Sequence, residues 1–403
     1  MKYKIRALDI KNRQEGMSEY DKIGVTVPGQ KIMSEKLFPL AVKIKGLKVP
    51  AADILKQEML ARGGDVGTSR NTLIERSEKT DVIIEGSYKS FDSLIIKLKM
   101  QPFGLKELSA ELETFLRSYK KNRRGKKYLI GSKKFNTGSA PLIMRILNAT
   151  PDSFFDGGKY NSYESAVERA GKMIDEGADI IDIGGLSSRP GSKPVSPEEE
   201  LERTIPLIKH IHNNFNVLIS IDTYRSEVAS KAVSAGADII NDISAFTMDE
   251  HMVSIAANSG TAVVLMHMRG TPEDMQDDPQ YSDVVDEVCE YLNKRASYAV
   301  KSGISADKII IDPGIGFGKT LEHNLAILNK IREFTLLGFP VLVGASRKSF
   351  MGKILDLPAE ERLEGSLAAA VWAAINGVSI LRVHDVAATA RAVKMAHSIM
   401  NGY

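Results

Sequence analysis

The stretch "DIIDIGGLSSRPGSKPVSPEEELERTIPLIKHIHNNFNVLISID", Asp179 to Asp222, contains a complete strand, loop, helix and strand. It opens with an apolar run that ends at Gly184-Gly185 and closes with another that ends at Asp222. Between them Ser196, Pro197 and Glu199 occupy the N-cap, first-turn and capping-box positions of a helix. Short apolar runs alternating with helices indicate a parallel sheet covered on both faces. The unit recurs along the chain. "LIMRILN", "DIIDIGG", "VLISID", "DIINDIS", "AVVLMHM", "KIIIDPG", "PVLVGAS" and "SILRVHD" follow one another, with helical segments between most of them. The helix "EGSLAAAVWAAING" closes at Gly377, a C-cap glycine just before the last run. Eight units over about 260 residues predict a (β/α)8 barrel. A doubly wound sheet is the alternative, but it has no need of eight repeats of such even weight.

The barrel pattern occupies residues 141–403. Before it, residues 120–140 are rich in lysine, arginine, glycine and serine and read as a basic, solvated linker. Residues 1–119 read as a smaller α/β or α+β domain. There "LFPLAVKIKG" and "TDVIIEGS" are predicted strands, and "PAADILKQEMLARGG" is a helix from proline to glycine. "GLKELSAELETFLRSY" sets Leu105, Leu108, Leu112, Phe115 and Leu116 on one helical face, a core stripe. Nothing in this region indicates a chemistry.

Composition narrows the function. A net charge of +3 gives no argument for nucleic acid or an acidic membrane surface. No apolar run has the length of a membrane span, and "MKYKIRALDI" lacks a signal-peptide core. The single cysteine, Cys289, excludes a disulfide framework or a cysteine metal site within one chain, as expected of a cytoplasmic protein.

The eight runs end in polar residues: Asn148, Gly184-Gly185, Asp222, Asn241-Asp242, His267, Asp312, Ser346 to Lys348, and Arg382 with His384. In a barrel these ends meet at one mouth, where active sites sit. Asp222, Asn241 and Asp312 suit the donor-rich edge of a planar heterocycle, since a carboxylate takes two parallel N–H bonds. Arg382, His384, Asn148, Ser188 and Arg189 suit an anion. The competing structural reading of "RVHDV" pairs Arg382 with Asp385 at the rim. "DPGIGFGKT", Asp312 to Thr320, is not a P-loop, because Pro313 stands where glycine is required. Its glycines let backbone approach a flat ligand, with Phe317 as an apolar wall.

"ILNATPDSFFDGG", "DIGGLSSRPG", "SIDT", "IINDIS", "LMHMRG", "DPGIGFGK", "GASRKSF" and "RVHDV" resemble, in order and position, the motifs of dihydropteroate synthases. The resemblance runs from about Pro141 to the C-terminus and does not include the N-terminal domain. It implies joining p-aminobenzoate to (7,8-dihydropterin-6-yl)methyl diphosphate, with release of diphosphate, in folate biosynthesis. Asp222, Asn241, Asp312 and Lys348 would hold the pterin. Asn148, Ser188, Arg189, Arg382 and His384 would hold the diphosphate, with Mg2+ beside Asn148. Phe154, Ser188, Pro190, Phe317 and Ser349 would enclose the arylamine. Asp156, Lys348, Arg382 and His384 would serve the chemistry, Asp156 facing the cationic carbon. The Phe154–Phe155 pair, unusual in a charged loop, would belong to a lid that closes over a benzene ring. A homodimer is usual in the family.

Phe155 stands where a small residue is common in the family and has no explanation in the sequence; two further departures stand out. Leu186 replaces a glutamate common in the family, and Ser188 replaces threonine, which keeps the hydroxyl. A modified arylamine, a pterin-binding methyltransferase and a non-catalytic pterin-binding protein are the other readings. The methyltransferase needs neither anion site nor lid, and the non-catalytic protein predicts damage among the anion residues. His210, His212, His251, His323 and His397 read as surface or packing residues. His267 lies nearer the mouth and reads as structural.

Overall fold

The computed structural model describes residues 5–10, 12–70, 78–122, 126–131, 133–137, 139–149, 159–186 and 195–401. They divide between two units, Met1–Ser118 and Tyr119–Tyr403. In the first unit β1 (Leu40–Lys48), β2 (Asp65–Thr68) and β3 (Lys79–Gly86) form an antiparallel sheet of order β1-β3-β2. Strand β3 alternates buried Thr80, Val82 and Ile84 with exposed neighbours, so one face needs cover. Helices Val49–Leu60 and Tyr88–Leu98 bury Leu55, Met59, Phe91 and Leu94. In helix Leu105–Asn122 the stripe Leu105, Leu108, Leu112 and Leu116 is buried as expected. Phe115, at the edge of that stripe, is exposed instead. Helices Arg13–Lys22 and Val27–Ser34, which the apolar pattern did not mark, precede the sheet.

Within the stretch read as a basic linker, two short strands of the second unit pair as a hairpin. β4 (Lys127–Ile130) pairs antiparallel with β5 (Lys133–Asn136). Tyr128 and Ile130 are buried while Lys127 and Leu129 face outward. The lysines hide a period-two pattern only two apolar residues long. The hairpin is tied to the barrel by polar contacts: Lys133 Nζ lies 3.4 Å from Asp179 Oδ1, and Lys308 Nζ donates to the Leu129 carbonyl at 3.1 Å.

All eight apolar runs form strands: β6 (Leu142–Asn148), β7 (Ile180–Gly184), β8 (Leu218–Asp222), β9 (Ile239–Asp242), β10 (Ala262–Met266), β11 (Ile309–Asp312), β12 (Leu342–Val343) and β13 (Ile380–Val383). The parallel order is β11-β10-β9-β8-β7-β6-β13-β12. A parallel bridge, Ile311 to Val341, joins the two ends and closes the barrel, which excludes the doubly wound alternative. Ser196 caps helix Pro197–Asn214 by accepting from Glu199 N at 3.2 Å. Gly377, at φ 89°, follows helix Leu363–Ile375 as the C-cap reading required. No described helix is long and apolar enough to cross a membrane.

Side chains alternate along each strand. One set, including Ile181, Ile183, Ile219, Ile221, Val263, Leu265 and Leu381, packs outward into the large core with the helices. The other points into the barrel. Met144, Ile180, Leu218, Ile239, Val264, Ile310, Leu342 and Ile380 make its lowest layer, closed from below by Ile130 of the hairpin. Ile130→Ala is expected to lower stability by about 2–4 kcal/mol, the usual result of removing a buried branched chain. Urea unfolding measures it, and a loss below about 1 kcal/mol would contradict the packing described.

Candidate active site

Two residues above the apolar floor, on the same inward face, the strands turn polar. Ile180 gives way to Asp182, Leu218 to Ser220, Ile239 to Asn241, Ile310 to Asp312, and Ile380 to Arg382. One step higher stand Asn148, Asp222, Ser346 and His384. Strand register brings these layers level: Asn148 pairs with Gly184, Gly184 with Asp222, and Asp222 with Asn241.

Arg382 binds two carboxylates at once. Its Nε donates to Asp182 Oδ2 at 2.7 Å and its Nη2 to Asp222 Oδ2 at 2.6 Å. Asn241 Nδ2 also donates to Asp182, at 3.4 and 3.3 Å to the two oxygens. Asp182 is wholly buried. Burial pushes Asp222 up to about 7, Asp182 adds to the rise, and Arg382 opposes it. Burial works against the Arg382 charge as well, but Asp182 and Asp222 outweigh it and raise the guanidinium pKa. The rim ion pair between Arg382 and Asp385 does not form. Asp385 instead takes a bidentate pair from Arg347, at 2.9 and 2.7 Å.

The glycine loop after β11 folds over the far side of the mouth. Asp312 Oδ1 accepts from Gly314 N at 2.7 Å, and burial raises its pKa to about 6. Lys319, buried, sets its Nζ 2.9 Å from His267 Nδ1 and donates to the Phe317 carbonyl at 2.9 Å and to the His267 carbonyl at 3.3 Å. Desolvation lowers Lys319 to about 7 and His267 to about 2, so His267 is a neutral packing residue, set edge-on against Tyr291. Phe317 packs with Ile243, Met266 and Met275, and Lys348 Nζ stands 4.1 Å over its ring. Ser349 is exposed at the start of helix Ser349–Leu355.

His384 receives Ser346 from two directions. Its backbone N donates to Ser346 Oγ at 3.2 Å, and its Nδ1 lies 3.1 Å from the same oxygen. Desolvation, then Arg145 and Arg382, depress His384 to about 4, so the imidazole is neutral at pH 7. Asn148 is exposed at the end of β6. The structure thus brings Asp222, Asn241, Asp312, Lys348, Phe317, Arg382, His384 and Asn148 to one end of the barrel. Phe154, Asp156, Ser188, Arg189 and Pro190 lie outside the described residues. Leu186, half-buried, is described.

The pterin binding enzyme family model matches residues 144–384. A dihydropteroate synthase from Synechocystis sp. is 46% identical over 271 residues, covering 67% of this chain and 94% of that protein. The chain belongs to the dihydropteroate synthase family. A solved dihydropteroate synthase from Xanthomonas albilineans, bound to 4-aminobenzoic acid, is 40% identical with a TM-score of 0.64, covering 68% of this chain and 98% of its own. The same organism's enzyme with 7,8-dihydropteroate matches at 38% identity and a TM-score of 0.62, covering 68% and 99%. A probable bifunctional folylpolyglutamate synthase/dihydropteroate synthase from Halobacterium salinarum is 38% identical over 395 residues, 98% of this chain but 47% of that protein. That alignment takes in the N-terminal unit as well as the synthase barrel.

Within this dihydropteroate synthase barrel, two contributors, Asp182 and Lys319, escaped a reading based on where runs end, and a third, Ser346, was read without its partner. Asp182 lies inside its apolar run, two residues past Ile180 and therefore on the same inward face. A carboxylate at such a position is the signal that could have revealed it. Ser346 was visible only as part of a strand end, without its contact to His384. Lys319 is a lysine in a loop, a place where a solvated charge is the ordinary reading.

Proposed function

We propose that this chain joins 4-aminobenzoate to (7,8-dihydropterin-6-yl)methyl diphosphate, giving 7,8-dihydropteroate and diphosphate. One observation carries the reading: acceptors Asp222, Asn241 and Asp312 meet cationic Arg382 and Lys348 at a single barrel mouth. The ligands of the Xanthomonas albilineans enzyme support it.

In this reading Asp222 and Asp312 accept N–H donors of the pterin edge, Asn241 presents its amide, and Lys348 donates. Arg382, neutral His384 and Asn148, with Ser188 and Arg189, hold the diphosphate. The C–O bond to diphosphate breaks with its electron pair on the leaving oxygen. The arylamine nitrogen bonds to the methylene carbon, and its proton passes to solvent. Phe317 and Ser349, with Phe154, Ser188 and Pro190, line the arylamine, and Asp156 faces the electron-poor carbon. Arg382 is preorganised by two carboxylates before substrate arrives, so stabilising the departing charge requires little reorganisation.

Among the described residues, no group of three His, Cys, Asp or Glu could hold a metal ion. Mg2+ takes oxygen ligands and keeps several waters, and Asn148, exposed at the end of β6, offers an amide oxygen of that kind. In this reading Asn148 would hold the ion, which would supply neutralisation of diphosphate charge.

Diphosphate release that requires 4-aminobenzoate, matched by dihydropteroate, is the test. Release independent of arylamine, or none, would sink the proposal. Leu186 favours a second reading, a larger arylamine, because an apolar side chain stands where the family often carries glutamate. A panel of substituted arylamines, ranked by kcat/KM, distinguishes the two.

Pterin affinity is expected to rise with pH through about 6 to 7 and level off above, because charged Asp312 and Asp222 accept N–H bonds more strongly and through both oxygens. A flat profile in fluorescence titrations from acid to neutral pH would contradict the acceptor roles. Stability moves the other way. The folded-state pKa values of these carboxylates are raised, so their stabilising contribution is present at low pH and lost as pH rises through about 6 and 7.

A homodimer is part of the proposal. Leu325, Leu328, Met351, Ile354, Leu355 and Trp372 line an apolar groove across three outer helices, with Ile354 and Trp372 exposed. A second copy, as in the family, is the proposed occupant. Light scattering is expected to give twice the chain mass, and Ile354→Glu to give one. A wild-type monomer at micromolar concentration would remove this part.

A further inference from the structure

We propose that Asp182 is a positioning residue that orients both Arg382 and Asn241, and so ties the pterin pocket to the anion pocket. The inference rests on the proposed synthase reading and extends it to a residue that would touch neither substrate.

Asp182 is wholly buried, one layer beneath Asp222 on the inward face. A carboxylate accepts hydrogen bonds and donates none when charged. Only the Nδ2 end of Asn241 can therefore face it, as observed at 3.3 and 3.4 Å. That fixes the amide's direction and leaves its oxygen turned away from Asp182, available as an acceptor. Without the carboxylate the amide has no such preference.

The grip on Arg382 is more specific. Asp182 takes Nε, whereas Asp222 takes Nη2. Nε is the one nitrogen of the fork nearest the aliphatic chain, so anchoring it sets the plane of the guanidinium and leaves the terminal nitrogens for other partners. Asp222 is also a proposed pterin acceptor, and it cannot give Oδ2 to both ligand and arginine at full strength. When the pterin engages Asp222, Nη2 is released toward the diphosphate while Nε stays on Asp182. The arginine changes one partner and keeps its plane. Asp182 thus lets one carboxylate be exchanged without losing the cation.

Asp182→Asn preserves shape, removes the charge and turns one of the two acceptor oxygens into a donor nitrogen. Calorimetry with inorganic diphosphate, and steady-state kinetics with the pterin diphosphate, are expected to show at least about a tenfold loss of diphosphate affinity and a raised KM. In an Arg382→Lys background, which cannot offer Nε, Asp182→Asn is expected to add less than about a twofold further loss. A merely structural role would lower active-enzyme concentration equally in both backgrounds and leave KM unmoved, which overturns the proposal. Should Asp182→Asn not fold, arginine-labelled wild type gives the answer. The Arg382 Nε–H resonance, assigned by its loss in Arg382→Lys, is expected to exchange slowly and to persist when diphosphate is added. Fast exchange, or disappearance on binding, overturns the anchoring. Wild type that binds neither pterin nor diphosphate fails the synthase reading itself, whereas normal binding by both wild type and Asp182→Asn fails this inference alone.

Discussion

Replacing Arg382 with alanine is expected to lower turnover by about 10²- to 10³-fold, the usual effect of removing one preorganised donor from a developing negative charge. Stability should fall with it. Asp182 and Asp222 share this guanidinium, and Asp182 is wholly buried. Taking the cation away leaves two neighbouring carboxylates unpaired, a change that typically costs about 3–5 kcal/mol. Loss of activity in the alanine variant therefore mixes chemistry with folding. Arg382→Lys separates them, because it keeps a positive charge but cannot bind both carboxylates through a planar fork. The lysine variant is expected to unfold closer to wild type while still losing about 10²-fold in turnover. Diphosphate release and thermal unfolding, measured on both variants, check the prediction. Full turnover in Arg382→Ala would remove Arg382 from the proposed mechanism.

Gly314→Ala is expected to destabilise the protein by about 3–5 kcal/mol and to abolish pterin binding, from a single added methyl group. Gly314 has φ 68°, and a Cβ there would lie 1.9 Å from the His267 carbonyl oxygen. The oxygen belongs to backbone at the end of β10, and Lys319 donates to it at 3.3 Å. Relief of the clash must separate the glycine loop from β10, and Gly314 N is also the donor that holds Asp312. Gly260 provides the comparison. Its φ is 64°, yet nothing lies within 4 Å of an added Cβ. Gly260→Ala should cost only the left-handed backbone term, about 1–2 kcal/mol. Similar losses in urea unfolding of the two variants would refute the steric argument.

The barrel was legible because its apolar run is repeated eight times, with helical segments between most of the repeats. Strand ends such as Asp222, Asn241, Asp312 and Arg382 were legible for the same reason, since topology alone brings them together. What sequence could not supply was the choice of partners. "RVHDV" offers Asp385 three residues after Arg382, but Arg382 finds Asp182 and Asp222, 200 and 160 residues away in sequence. Asp385 is taken by Arg347. Asp182 was hidden by its apolar neighbours, and the hairpin at Lys127–Asn136 by its lysines. In both cases the governing signal is period two over too few residues to rise above composition.

The hairpin beneath the barrel has a consequence for traffic. Among the described residues, Ile130 and the eight side chains above it close one end, and the interior opens at the other. Solvent, reactants and products share that passage. Whatever settles at the level of Asp182 and Asn241 must enter before anything that rests above it, and can leave only afterwards.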